Sequence, residues 1–572
     1  MRKERYGQRE QGQAILKGAA LLGGAALVSK LIGTLQKIPL QNFGGDEVFG
    51  LYSAVYAFAV LWLTLAAAGL PTAVSALVAE REAEGDELGA QRIVRWSLGL
   101  LSVSGLIAFT ALQLGAGLFS EWMGVPEAAS AIRTSSIALL FAPAAAALRG
   151  YRQGQMSMLR PAVSQLIEQS ARVAFMLMML GIAVGAGWSG PATAAAVHGG
   201  LAAGAAAGLI VMLWPEKSSG KAGVWIRRKA AASTSGNTTT KRMFYWQEPR
   251  LALVKRIAGI ALPVAAVSVV APLFGLIDAF TIPRLLQREG ADAVSAISQF
   301  GVYNRGIALL QLVLMAAAGA AAALVPALTT ERVRGDDAAA AERAAFTLRL
   351  AWWFGGAAAA GLALLAVPVD IALFADDNGS AVMALLAPAA LFGALQAVSG
   401  ALLQGRGDLR SPAVNLAAAA VFKLALNAAL VPAYGITGAA AAMVAAYASA
   451  AVLNALSLRS RLAVAGPSLA IAWRSAAALA FMAAAVAATG FALGALTHSL
   501  PHRAGALLTA LPGVAVGLAA FAAGLIAAGA VGPQQWRELP GLSAASRADV
   551  WLLRLHAALR RQTPSSPHSR EG

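Results

Sequence analysis

Apolar runs of helix length, separated by short polar turns, recur along almost the whole chain. They fall near 14–38, 48–79, 91–115, 130–150, 160–185, 190–214, 253–280, 299–329, 343–367, 380–404, 411–433, 436–459, 468–494 and 505–531. The runs are rich in Ala and Gly and lack the ten-residue alternation of a membrane barrel strand. Backbone polar groups inside hydrocarbon must be bonded within their own segment, so the pattern predicts an all-α polytopic membrane protein of about fourteen transmembrane helices.

The pattern also repeats at one ungapped offset of 251 residues. Gly50, Tyr52, Glu80 and Arg81 recur as Gly301, Tyr303, Glu331 and Arg332, and Gln153-Gly154 and Pro161-Ala162-Val163 recur as Gln404-Gly405 and Pro412-Ala413-Val414. Matches of Ala and Leu are cheap in such a chain, whereas these are not. Six spans separate the copies, an even number, so the two halves run parallel and are related by an axis along the membrane normal. The expected organisation is a first lobe at 1–214, a basic linker at 215–250, a second lobe at 251–460, spans thirteen and fourteen within 461–531, and a basic tail at 532–572. In the tail, Trp551, Leu552, Leu555, Ala558 and Leu559 share one face of an amphipathic helix opened by Ser546, which fits an interfacial element.

Composition narrows the function classes. Charged residues make up only 13% of the 572 residues, and the absence of cysteine removes disulfides, thiol nucleophiles and Cys-ligated metals. The five histidines fall singly, no phosphate-binding loop appears, and no nucleophile and base are paired, so neither a metal site nor an enzyme is expected. The net charge of +17 would suggest nucleic acid in a soluble protein. With the N-terminus inside, however, all but ten of the 45 Lys and Arg residues lie on cytoplasmic segments. The exceptions are Lys37, Arg133, Arg284, Arg288 and Arg503 on the outer side and Lys17, Lys30, Arg172, Arg305 and Lys423 within spans. The positive-inside rule therefore accounts for the excess and places both termini in the cytoplasm, in a multi-pass protein of the cytoplasmic membrane.

An ionisable group at mid-membrane costs about 2.5–3.5 kcal/mol even on lenient scales, so each needs a partner, a wet cavity or a purpose. Lys30 and Lys37 are seven residues apart, which on a continuous helix returns them to one face roughly 10 Å apart. Lys30 either lines a cavity or pairs with Asp278 or Glu168; Lys37 either joins it or snorkels to the headgroups. Arg305 has Ala54 as its repeat mate, so the lobe fold does not require it. Glu168 and Arg172 are spaced i,i+4 with the acid first, the favourable order for an ion pair. Lys423 matches Arg172 but has Ala419 where Glu168 would be, so it has no acid one turn before it and either points into the cavity or rises toward the cytoplasm. Asp278 either pairs with a cavity Lys or serves as a proton or sodium coupling site. The sum is cationic, and a cationic cavity between two lobes suits an anionic substrate group. Helix breaks are expected nearby, at "LAAAGLPTA" (65–73) and "MAAAGAAAALVP" (315–326).

The stretches "SKLIGTLQKIPLQNFGGDEVFGLYSAVYAFAVLWLTLAAAGLPTAVSALVAE" (29–80) and "IDAFTIPRLL" (277–286), with the repeat, resemble the polysaccharide-transporter branch of the multidrug/oligosaccharidyl-lipid/polysaccharide exporter superfamily. Within it the likeness is to the stage V sporulation protein B group, related to the MurJ-type lipid II flippases. The resemblance implies a flippase that moves an undecaprenyl-diphosphate-linked saccharide, a peptidoglycan precursor or related polysaccharide unit, to the outer leaflet by alternating access. It implies roles in cell-wall biogenesis and sporulation, membrane lipids and envelope or cortex synthesis proteins as neighbours, no nucleic acid and no cofactor. Na+ or H+ coupling or the membrane potential remain open as the drive. It further implies that basic residues of the first, second and eighth helices line the cavity, with Lys30 and Lys37 matching the first, Arg305 the eighth, and all three facing the diphosphate. The second span here holds no Lys or Arg, which departs from that pattern. Two rivals remain: a multidrug or cation antiporter of the same superfamily, which needs unpaired carboxylates, and a non-transporting scaffold of an envelope-synthesis complex.

Overall fold

A computed structural model describes residues 18, 21–67, 69–215, 250–270, 272–334, 337–461, 469–497 and 499–531. Lys17, nearly all of the basic linker and the amphipathic tail lie outside the described residues. Among those described there is no strand. The helices are α1 (21–35), α2 (Lys37–Ala67), α3 (Leu70–Ala83), α4 (Glu87–Met123), α5 (Ala129–Ser136), α6 (Ala142–Gly154), α7 (Leu159–Gly185), α8 (Gly190–Leu213) and α9 (Arg250–Val270). They continue as α10 (Leu273–Arg288), α11 (Ala293–Arg334), α12 (Asp337–Leu364), α13 (Ala366–Phe374), α14 (Ser380–Leu386), α15 (Pro388–Gly405), α16 (Arg410–Arg459), α17 (Leu469–Thr497) and α18 (His502–Ala527).

Eleven helices among the described residues are long and apolar enough to cross a membrane, or twelve if a bent pair counts as one span, so the expected fourteen are not reached by that count. Two of the eleven are unusually long: Leu21–Ala83 and Arg410–Arg459. Each carries a non-helical glycine, Gly45 at φ +75° and Gly435 at φ +57°. Those glycines stand where hydropathy divides the first span from the second and the eleventh from the twelfth. α12 and α13 are bent by 74° at Leu365.

The expected break at 65–73 is present. Gly69 takes φ +77°, and a Cβ there would stand 2.1 Å from the Ala261 carbonyl oxygen of α9, so both conformation and close approach require glycine. At 315–326 the break is absent, and α11 runs straight through. Gly319 has nothing within 4 Å of where its Cβ would be, so no neighbour forces the chain aside.

The described chain forms two compact units, residues 1–301 and 302–572, dividing within α11. In the first, Ala73, Val74, Leu77 and Val78 of α3 pack with Ile93 and Val94 of α4 and with Leu253, Ile257 and Ala261 of α9. Arg256 of α9 donates to both carboxylate oxygens of Glu80 at 2.6 Å. In the second, α12 packs through Ala344 and Ala351 on Val398 and Leu402 of α15, and through Trp353 on Ala478 and Met482 of α17 and Phe521 of α18.

The 251-residue offset reappears in space inside the first unit. A Cβ on Gly50 of α2 would lie 2.0 Å from the Ile297 carbonyl oxygen of α11, and a Cβ on Gly301 of α11 would lie 2.1 Å from the Asp46 carbonyl oxygen of α2. Residues 46 and 297, like 50 and 301, are repeat mates, so the two helices cross at a reciprocal backbone contact. Gly50→Ala or Gly301→Ala should each destabilise the protein by about 1–3 kcal/mol through overpacking. Gly181→Ala, where nothing lies within 4 Å, is the control. Thermal unfolding of the detergent-purified chain should show a lowered midpoint for the first two only; three matching midpoints would contradict the crossing.

Candidate functional site

In the first unit, polar side chains converge from three helices and the turn before α2. Lys37, at the start of α2, is 6% exposed and within electrostatic reach of Arg172 on α7. The Tyr52 hydroxyl on α2 accepts from Gln36 Nε2 at 3.1 Å and from Arg172 Nη2 at 3.5 Å. The Arg172 guanidinium lies over the Tyr56 ring, 4.9 Å from its centroid. Tyr52 and Tyr56 are stacked, with centroids 5.6 Å apart, and His198 of α8 packs on Tyr52 at 4.8 Å. His198 is buried, with Nδ1 2.7 Å from the Ala194 carbonyl oxygen. The i,i+4 spacing of Tyr52 and Tyr56 makes this cradle, since it puts both rings on one face of α2. The arrangement presents an ammonium and a guanidinium in an aromatic surround, chemistry suited to oxyanions.

The expected shared face of Lys30 and Lys37 is not found: Lys30 is exposed on α1, whereas Lys37 is buried. A turn stands at Gln36, but helical bonds run through it, from the Gln36 amide to the Ile32 carbonyl at 3.1 Å and from the Leu40 amide to the Gln36 carbonyl at 3.2 Å, so it is burial rather than a helix end that sets the two lysines apart. Ser29 and Gly33 take the α7 side of α1: Ser29 Oγ donates to the Gln165 carbonyl oxygen at 3.4 Å, and a Cβ on Gly33 would meet Gln169 at 3.0 Å. Lys30 therefore pairs with neither Glu168 nor Asp278 in this structure.

The expected Glu168–Arg172 pair is likewise replaced. Glu168 is bonded to Arg149 of α6, whose Nε and Nη2 also donate to Ser164 Oγ at 3.1 and 2.9 Å. Ser164 Oγ in turn donates to the Gly208 carbonyl oxygen at 2.7 Å. Arg149 reaches across from a neighbouring helix and captures the acid, leaving Arg172 to the tyrosines. Asp278 is 2% exposed on α10, which packs in the first unit against α2 through Phe280 and Phe58.

The second unit holds Arg305 and Lys423, both fully buried. Lys423 and Asn427 stand one turn apart on the buried side of α16. Arg305 is clasped by acids: its Nη1 and Nη2 donate to Asp376 Oδ1 and Oδ2 at 2.6 and 3.0 Å, and Nη1 lies 3.6 Å from Asp370 Oδ1. Phe374 faces its guanidinium at 5.4 Å. Burial raises the proton affinity of the Asp376 carboxyl, but the hydrogen bonds from Arg305 and the Asn378 amide outweigh it and hold the group below the usual carboxylate range. Asp376 is thus a carboxylate at neutral pH.

Sequence reasoning missed Tyr52, Tyr56 and His198, and also Asp370 and Asp376. A signal for the acids was there: "PVDIALFADDNGS" puts three aspartates beside the end of the ninth span, in a chain whose Arg305 needed a partner. A separate cavity of about 570 Å3 in the second unit, between α13, α17 and α18, is walled by Leu365, Ile371, Val486 and Ala506. Thr497, His502 and Thr509 also line it.

Residues 15–330, more than half of the chain, match the family described as "Polysaccharide biosynthesis protein". The chain belongs to that family. Among curated relatives, all from Bacillus subtilis, it is 29% identical over 451 residues to the "Uncharacterized membrane protein YabM", covering 78% of this chain and 80% of that one. It is 24% identical over 442 residues to "Lipid II flippase MurJ", 73% and 77% of the two chains. To "Stage V sporulation protein B" it is 33% identical over 167 residues, 28% and 31%. The fold is shared with a solved lipid II flippase MurJ in an inward closed conformation, at TM-score 0.61, 12% identity and coverage of 88% and 98%. It is shared also with an inward-facing multidrug transporter of the MATE family, at TM-score 0.59, 15% identity and coverage of 76% and 94%. The resemblance read from 29–80 and 277–286 to this superfamily and its sporulation and flippase groups is borne out, as is the multi-pass helical membrane fold.

A double-mutant cycle separates the two accounts of Glu168. The Arg149–Glu168 coupling should be about 1 kcal/mol or more, as expected of a partly buried, hydrogen-bonded pair, and the Glu168–Arg172 coupling below about 0.5 kcal/mol. Unfolding midpoints of the Gln and Met single and double variants give both; the reverse order would contradict the observed pairing.

Proposed function

We propose that this chain is a flippase for an undecaprenyl-diphosphate-linked saccharide, a lipid II-like peptidoglycan precursor or a related polysaccharide unit, in the cytoplasmic membrane. The observation that carries the reading is the Arg172 guanidinium held on Tyr52 and Tyr56 of α2, the helix that also carries the buried Lys37. Family membership and the likeness to a protein named as a lipid II flippase support it. In this reading the diphosphate binds at Lys37 and Arg172, where low dielectric strengthens charge-assisted hydrogen bonds. Gln36 and the Tyr52 hydroxyl orient the Arg172 fork. The isoprenoid chain stays in hydrocarbon while the protein opens first to one side of the membrane and then to the other.

Asp278 is the coupling candidate if Na+ or H+ drives the cycle. The antiporter alternative needs carboxylates offered to a cation, and of its two candidates, Asp278 and Glu168, the second is engaged by Arg149. Expressed in cells depleted of their own lipid II flippases, the wild-type chain should restore growth and outer-leaflet lipid II. Lys37→Ala and Arg172→Ala should each lower the exposed lipid II about tenfold or more, the loss expected from removing a charged hydrogen-bond donor. Equal rescue by both variants at matched membrane levels would end the diphosphate assignment.

A further inference from the structure

The two carboxylates around Arg305 are not equivalent. Asp370 is fully buried, and its Oδ2 is fixed by the Gly379 amide at 2.7 Å and by Ser380 Oγ at 3.2 Å. Its Oδ1 accepts no hydrogen bond, although it stands only 3.6 Å from Arg305 Nη1. Asp376 now takes both prongs of the guanidinium, but its side chain is 38% exposed, on the turn 375–379 between α13 and α14. That turn is entered through Ala375 at φ +71°, a left-handed conformation that a residue with a Cβ adopts only under constraint.

The triad is also foreign to the repeat. At the 251-residue offset, Arg305, Asp370 and Asp376 correspond to Ala54, Phe119 and Val125. The lobe fold is built once without any of these charges, so the second copy carries them for another reason.

Resting on the reading of the chain as a diphosphate-lipid flippase, the geometry points to Asp376 as a resident stand-in for a substrate oxyanion, with Asp370 as the group that keeps Arg305 compensated during exchange. A phosphate offers a guanidinium the same paired oxygens as a carboxylate, so a diphosphate can replace Asp376 in the fork without moving the Arg305 backbone. As Asp376 leaves, Nη1 closes the short gap to Asp370 Oδ1, and the buried guanidinium is never left without an acid. Release of Asp376 frees the 375–379 turn and relieves Ala375. Substrate arrival is thereby tied to movement of a turn, and Asp376 tunes how tightly the anion is held. Asp370 is a positioning residue and touches no substrate.

The test uses the purified full chain in detergent with farnesyl diphosphate as the probe, read by calorimetry, and amide hydrogen exchange at 375–379. Asp376→Asn should tighten binding about tenfold, because the competing anion that masks the competent state is gone. Asp370→Asn should weaken binding, and in the wild type the probe should speed exchange of the Asn378 amide, which donates to Asp376 Oδ1 at 2.9 Å. Unchanged or weaker binding by Asp376→Asn, with Asn378 exchange indifferent to the probe, overturns the inference. If Lys37→Gln abolishes binding in that same set, the flippase reading stands while the exchange falls. Absence of binding to both the wild type and Asp376→Asn overturns the two together.

Discussion

A full charge inside a helical bundle must be compensated by something within reach, and this one requirement orders the polar side chains of the protein. Arg149 takes Glu168, Arg305 takes Asp376 with Asp370 alongside, and Arg172 settles on two tyrosines. The third case differs in kind. A guanidinium against an aromatic face keeps its charge available, whereas one in a carboxylate fork has it cancelled. Of the three arginines, Arg172 is therefore the one held on aromatic rings rather than on a carboxylate.

Glycine supplies the second layer of order. Gly45 and Gly435 let a long helix turn, Gly69 admits the Ala261 carbonyl, and Gly50 and Gly301 let α2 and α11 cross backbone to backbone. The crossing pairs residues that are also paired by the internal repeat, so the duplication is visible as geometry inside the first unit. α2, which supplies half of that crossing, also carries Lys37, Tyr52 and Tyr56. The polar cluster and the packing at the crossing are thus properties of one helix.

Much of this was legible in the sequence, and the limits are physical. Hydropathy and the offset of 251 located the helices and the duplication because burial in hydrocarbon writes a long, repeated signal. The Gly69 break was legible because Gly and Pro stand together there; the break wrongly expected at 315–326 shows that small residues permit a bend without compelling one. Partner choice was the weakest inference. The i,i+4 spacing of Glu168 and Arg172 was a sound local rule, but Arg149 is distant in sequence and near in space, and tertiary proximity overrode it. Lys30 and Lys37 were given one face by their spacing alone, whereas packing leaves Lys30 exposed and Lys37 buried. The tyrosine cradle left no signal beyond two tyrosines four residues apart.

In the proposed mechanism Lys37 and Arg172 of the first unit engage a diphosphate lipid as it crosses the membrane. This engagement is tested most directly in proteoliposomes loaded with fluorescent lipid II, by following arrival of the headgroup in the leaflet opposite to the one labelled. The account predicts movement well above protein-free vesicles for the wild type and background movement for a folded Lys37→Gln/Arg172→Gln double variant. A double variant that moves the lipid as fast as the wild type would contradict it.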